Sequence, residues 1–151
     1  MTAEAVRMRF PARSEYLLLA RLAVAGAARR MALGRREVAD LKLAVTEACS
    51  NAIRHAYAEG LPGEIELELV LERDRLELVV EDHGTGIALP LPDPPAPSEW
   101  GGMGFPIIRA VVDELEIRPS EGGTGTVVHM TKRARPGVRV NGDPRGRTSE
   151  V

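Results

Sequence analysis

Cysteine is almost absent from this chain. Cys49 is the only one in 151 residues, which excludes an internal disulfide and a cysteine-rich zinc site and fits a reducing compartment. Aromatic residues make up 3%, too few for a stacking platform for single-stranded nucleic acid or an aromatic sugar cleft. No apolar run approaches the roughly 20 residues of a membrane span, and Met1-Thr2-Ala3-Glu4 lacks the basic start of a signal peptide. These absences predict a cytoplasmic protein that does not engage membranes. Charge of one sign is also missing. A net charge of -2 argues against a general nucleic-acid surface. No Gly-x-x-x-x-Gly-Lys-Ser/Thr sequence occurs, so a P-loop is excluded. What is present is 44% hydrophobic content, enough for one domain with a real core.

Periodicity divides the chain into strands and helices. Val6 to Phe10 alternates apolar and basic residues as a strand does, and Pro11 ends it. Ser14 reads as an N-cap for an alanine-rich helix running to about Leu33, with Gly34 as its stop. A second helix is expected from about Arg36 to Tyr57. Glutamates alternate with Ile65, Leu67, Leu69 and Leu71. Arg73-Asp74 turns the chain, and Leu76, Leu78 and Val80 mark the return strand. Five prolines between Ala88 and Ser98 leave only a loop of polyproline character. Ile107 to Leu115 reads as a third helix with Pro106 in its first turn. Glu116 to Arg118 and Thr126 to Met130 read as strands. Strands with one apolar face must lie on helices, which predicts an α+β, two-layer sandwich with helices on one face of the sheet. The folded domain is expected over 5–132, and the glycine-, proline- and arginine-rich remainder, 133–151, as a disordered tail.

Four short motifs follow one another in order. Glu47 and Asn51 are four apart, so they stack on one line of the second helix, bordering the apolar face of Leu41, Ala44, Val45, Ala48 and Ala52. A carboxylate and an amide there suit a hydrated magnesium ion at the rim of the core, although a solvated helix edge would look the same. His55 continues the row. Asp82-His83-Gly84-Thr85-Gly86 follows a strand. Asp82 can accept from a base amino group while Gly84 and Gly86 leave room for a flat ring, and an acidic turn is the plain alternative. Gly101-Gly102-Met103-Gly104 precedes a helix, where free N–H groups and the helix dipole bind phosphate. The dinucleotide-binding fingerprint fails, because Ile107 stands at its third glycine. Gly125-Thr126 opens the last strand. Cys49, inside the helical pattern beside apolar neighbours, reads as a packing residue.

As an ordered set these motifs resemble the ATPase superfamily of gyrase, heat-shock chaperone 90, sensor histidine kinases and MutL. Leu43 to Tyr57 is similar to its N-box, Asp82 to Ile87 to the first glycine box, Gly102 to Phe105 to the second, and Gly125 to Val127 to the last strand motif. Within the superfamily, residues 47–57 and 102–117 resemble bacterial anti-sigma factors that are also serine kinases. The resemblance spans residues 5 to 132 and implies a histidine kinase-like (Bergerat) fold with a mixed sheet. It implies that Asn51 ligates a Mg²⁺ bridging the phosphates of ATP, and that Glu47 polarises the attacking hydroxyl. Asp82 would bond the adenine amino group, with Gly84 and Gly86 giving the ring room and Thr126 nearby. Gly102, Met103 and Gly104 would close on the phosphates from a lid between Ala88 and Trp100. It further implies two partners, a sigma factor and a small anti-anti-sigma antagonist whose serine is phosphorylated. Arg21 would be a partner-binding arginine, and the assembly a homodimer.

One feature departs from the pattern. The short, proline-rich lid lacks the Thr-Thr-Lys-like phosphate contacts of some relatives, which leaves an ATP-binding partner switch without turnover as the rival reading. A sensor histidine kinase fits less well, since no phosphoacceptor hairpin precedes the domain and His55 and His83 sit inside the pocket motifs.

Overall fold

The computed structural model describes residues 2–57, 62–85 and 104–134. Strand β1 spans Glu4–Pro11, helix α1 Leu17–Ala28 and helix α2 Arg35–Asn51, which continues as a π-helical turn over Ala52–Ala56. Strands β2 (Glu64–Leu71) and β3 (Arg75–Asp82) form a hairpin, followed by helix α3 (Gly104–Val111) and strands β4 (Glu114–Pro119) and β5 (Thr126–Arg133). The sheet order is β1-β2-β3-β5-β4.

The expected two layers are present. Ile65, Leu67, Leu69 and Leu71 of β2 and Leu76, Leu78 and Val80 of β3 are all buried, and they pack with Val24, Leu41, Val45 and Ile108 of the three helices. Each such side chain contributes about 1.5–3 kcal/mol by leaving water. Alanines at 20, 27, 28, 44 and 48 are buried as well, and their small size lets the helices lie close to the sheet and to each other. The glutamates of β2 alternate outward, so a strict period of two keeps one face wet.

Several expectations need correction. The sheet is not mixed, because all four ladders among the described residues are antiparallel. The reason is topological. β3 and β4 are linked through α3 and run parallel to each other, but β5 lies between them, antiparallel to both. Helix α1 stops at Ala28 rather than near Leu33, and Gly34 heads α2 instead of closing α1. Met31 and Leu33 are both buried with Ala32 exposed between them, an alternation that a helix would break. Ser14 does not cap a helix with its side chain; it opens a single 3₁₀ turn, Ser14–Tyr16. Helix α3 begins and ends earlier than expected, and Leu115 pairs with Met130 in the sheet. β5 continues to Arg133, and the Ala134 N–H donates to the Asp74 carbonyl at 2.7 Å. The rest of the expected tail, 135–151, lies outside the described residues.

The last turn of β5 fixes α3. Lys132 is buried, and its Nζ donates to the Val111 carbonyl at 2.6 Å and to Asp40 at 3.2 Å. The C-terminal end of α3 is thereby tied to α2, a cation on helix-end carbonyls. The other end of α3 then meets the end of α2, where the candidate site lies.

Candidate functional site

The site is built where α2, β3, β5 and α3 converge. Asn51 is the last α-helical residue of α2, one turn after Glu47. Asp82 ends β3 and stands directly opposite Thr126, the first residue of β5. Gly104 is the first residue of α3. The first three line a narrow cleft of about 20 Å³, walled by Ala48, Ala52, Ala56, Val80, Phe105 and Val128, with Asn51, His55, Asp82 and Thr126 as its polar groups, and Gly104 stands against Asn51. An apolar slot with a few convergent polar groups is the form of a small-molecule site.

Asn51 is 8% exposed, and neither its amide nitrogen nor its carbonyl oxygen has a hydrogen-bond partner among the described residues. Leaving such a group unpaired costs roughly 1–3 kcal/mol per atom, so a buried amide in this state is suited to accept a further partner. Gly104 approaches this amide so closely that a Cβ on it would sit 2.7 Å from Asn51 Nδ2. A larger residue at 104 would have to displace the Asn51 amide.

Asp82 is buried, and its carboxylate accepts the Gly84 N–H at 3.0 Å. Burial raises its pKa above the ordinary carboxylate value, while backbone hydrogen bonds from Gly84 and Thr126 pull it partly back. A desolvated acceptor at the end of an apolar cleft is suited to a ligand N–H. The segment after Asp82 is fixed to the π turn, since the Thr85 N–H donates to the Ala56 carbonyl at 2.8 Å. The π turn widens the end of α2 on the cleft side, a device common at functional sites.

The structure therefore brings Asn51, Asp82, Gly104 and Thr126 together, with Gly84 holding Asp82. Glu47 is half-buried one turn before Asn51 and is not among the cleft-lining residues. Arg21 is exposed on α1, away from the cleft. Gly86, Gly102, Met103 and the segment 88–100 lie outside the described residues. The sequence reading passed over Phe105 and Val128 as cleft walls and did not foresee the π turn. Phe105 had a signal, as the apolar residue directly after the glycine cluster. The π turn had none, because residues 52–56 continue an ordinary helical pattern.

Cys49 is buried, and desolvation pushes its thiol up to about 12, so it is a packing residue, as expected. No group of three or more His, Cys, Asp or Glu suited to a metal occurs among the described residues.

Comparison with known proteins agrees with this geometry. Residues 10–132 match the histidine kinase-like ATPase domain. The chain is 35% identical to the serine-protein kinase RsbW of Bacillus subtilis, over 93% of this chain and 92% of that one. It is 32% identical to the enzyme of the same name from Bacillus pumilus, over 89% and 90%. Among solved structures, the RsbU and RsbW domains of Rv1364c from Mycobacterium tuberculosis superpose with a TM-score of 0.64 at 20% identity. That match covers 88% of this chain and 33% of the other. The histidine kinase domain of Erythrobacter litoralis EL346 superposes with a TM-score of 0.50 at 27% identity, over 78% and 59%. The ordered motifs, the two-layer fold and the near full-length match to serine-protein kinases agree: this chain belongs to the histidine kinase-like ATPase family, in the branch of the anti-sigma serine-protein kinases.

Proposed function

We propose that this chain binds ATP with Mg²⁺ in the cleft, sequesters a sigma factor and phosphorylates a serine of an anti-anti-sigma antagonist. The observation that carries the nucleotide part is Asn51, a buried carboxamide whose two polar atoms have no partner among the described residues, at the rim of an apolar slot. Its oxygen is the hard donor that Mg²⁺ prefers, so the residues present fit the ion. When bound, Mg²⁺ neutralises charge on the ATP phosphates. Asp82 accepts the adenine amino group, with Thr126 beside it, and the N-terminus of α3 at Gly104 turns backbone N–H groups toward phosphate. The family resemblance assigns Gly86 to the adenine ring and Gly102 and Met103 to the phosphates. Glu47 takes the proton of the attacking serine hydroxyl, and its place just outside the cleft suits a base that meets a protein substrate rather than the nucleotide. Phosphoryl transfer depends mainly on such positioning.

The partner half of the reading rests on helix α1 and the sheet edge. Leu18, Leu19 and Leu22 are 60%, 45% and 58% exposed, around the exposed Arg21. This apolar face with one cation supports Arg21 as a partner-binding residue. β1 is an edge strand of the sheet among the described residues, and with the α1 leucines it supports a homodimer. No described helix is long and apolar enough to cross a membrane. A sigma factor as partner places the protein in the cytoplasm, with no direct contact to nucleic acid.

The lid segment 88–100 contains no lysine or arginine, and this favours a second reading, an ATP-dependent partner switch with little or no turnover. The test follows labelled phosphate from ATP to the serine of a candidate antagonist. Transfer supports the kinase, and ATP-dependent complex formation without transfer supports the switch.

A further inference from the structure

Three successive backbone N–H groups fasten the segment that follows β3, and each has a different kind of partner. His83 N–H donates to the Tyr57 hydroxyl at 3.0 Å, Gly84 N–H to the Asp82 carboxylate at 3.0 Å, and Thr85 N–H to the Ala56 carbonyl at 2.8 Å. The Tyr57 hydroxyl in turn donates to the carbonyl of Glu64, the first residue of β2, at 2.6 Å. Tyr57 leaves the π turn in an extended conformation, φ -118 and ψ 138, which aims the ring across to the sheet. One oxygen atom thus joins the end of α2, the start of β2 and the residue after Asp82. Tyr57 itself is not among the residues that line the cleft.

Resting on the reading of Asp82 as the adenine acceptor, we propose that Tyr57 is a positioning residue that sets selectivity for adenine. Hydrogen bonds weaken steeply with angle, so the orientation of the Asp82 carboxylate decides whether the base amino group is recognised. That carboxylate is held from one side by Gly84, and Gly84 is held in place by its neighbours at 83 and 85. Without the Tyr57 hydroxyl, the His83 N–H and the Glu64 carbonyl both lose this bond, and one of the three ties on the loop is gone. The ribose and phosphates contact other residues, so their share of binding is untouched. The alternative is a plain staple between α2 and the sheet, which would weaken every nucleotide equally.

The experiment compares ATP with purine riboside triphosphate, which carries hydrogen in place of the amino group, on the full-length chain by calorimetry. Tyr57→Phe removes one oxygen and keeps the ring. It should raise the Kd for ATP about three- to tenfold and leave that for the analogue within about twofold. Amide exchange at His83 should accelerate in the same variant. A second variant, Gly63→Ala, keeps the hydroxyl but drives a Cβ into the Tyr57 ring, and it should lower the same selectivity ratio. A wild-type chain that prefers ATP, with both variants keeping that preference, overturns the role of Tyr57. Equal weakening of both nucleotides overturns it in favour of the staple. A wild-type chain without preference removes the adenine role of Asp82, and this proposal with it.

Discussion

The two faces of the sheet meet different surroundings, and their polar groups behave differently. On the open face of the sheet, charges are wet and paired: Arg7 with Glu68 at 2.9 Å and Arg9 with Glu66 at 2.6 Å. At the cleft, Asn51 and Asp82 are buried, Asn51 has no partner among the described residues and Asp82 carries a raised pKa. Paired surface charges are worth ~0–1 kcal/mol, because water screens them and the side chains lose freedom. Desolvated, unpaired groups cost the fold more than that, and a protein keeps them where a ligand repays the cost. The contrast supports the cleft as the functional site without reference to any relative.

The sharpest way to break this comparison is through the chemistry beside it. Glu47→Gln should lower phosphate transfer to the antagonist serine by roughly 10²–10⁴ while ATP affinity by calorimetry stays at the wild-type value. Equal transfer by both proteins would remove Glu47 from the mechanism.

Asp82→Asn acts on the cleft itself. An amide in place of the carboxylate offers the adenine amino group a poorer partner, so ATP affinity should drop by ~1–3 kcal/mol, about five- to 150-fold. Stability should move the other way. A carboxyl with a raised folded pKa binds its proton more tightly when folded, so its stabilising share is present below the ordinary value of 3.8 and lost as pH rises through the folded value. At neutral pH the ionised Asp82 weighs against the fold, and thermal unfolding of Asp82→Asn should occur at the same temperature or higher. A variant that loses both affinity and stability would mark Asp82 as a structural residue.

Gly104→Ala sharpens the Asn51 side of the cleft. Its Cβ would press the amide from 2.7 Å. Affinity for ATP should fall about tenfold in the presence of Mg²⁺, from strain of ~1–3 kcal/mol, with a smaller loss in a metal chelator. Equal losses under both conditions would separate Asn51 from the metal. The smallest effect belongs to the open face. Arg7→Ala should change stability by at most ~1 kcal/mol in urea unfolding and leave ATP affinity unaltered. A clear loss of affinity would erase the distinction between the two faces.

Residue patterning was enough for much of this protein. The alternation in β2 and β3, the apolar stripe of α2 and the order of the glycine clusters determined a helix-backed sheet and the pairing of Glu47 with Asn51, because side-chain period and helix spacing are local properties. The family itself was legible in the four motifs. What no local pattern carried was decided by packing. Gly34 starts α2 because Met31 and Leu33 both had to be buried. Leu115 joined the sheet because β5 needed a second neighbour. The last turn of α2 widened into a π turn over residues that read as ordinary helix. Above all, only the tertiary structure buried the Asn51 amide with no partner among the described residues and pressed Gly104 against it, since both depend on where α3 comes to rest, and Lys132 ties α3 from a strand 92 residues away from Asp40.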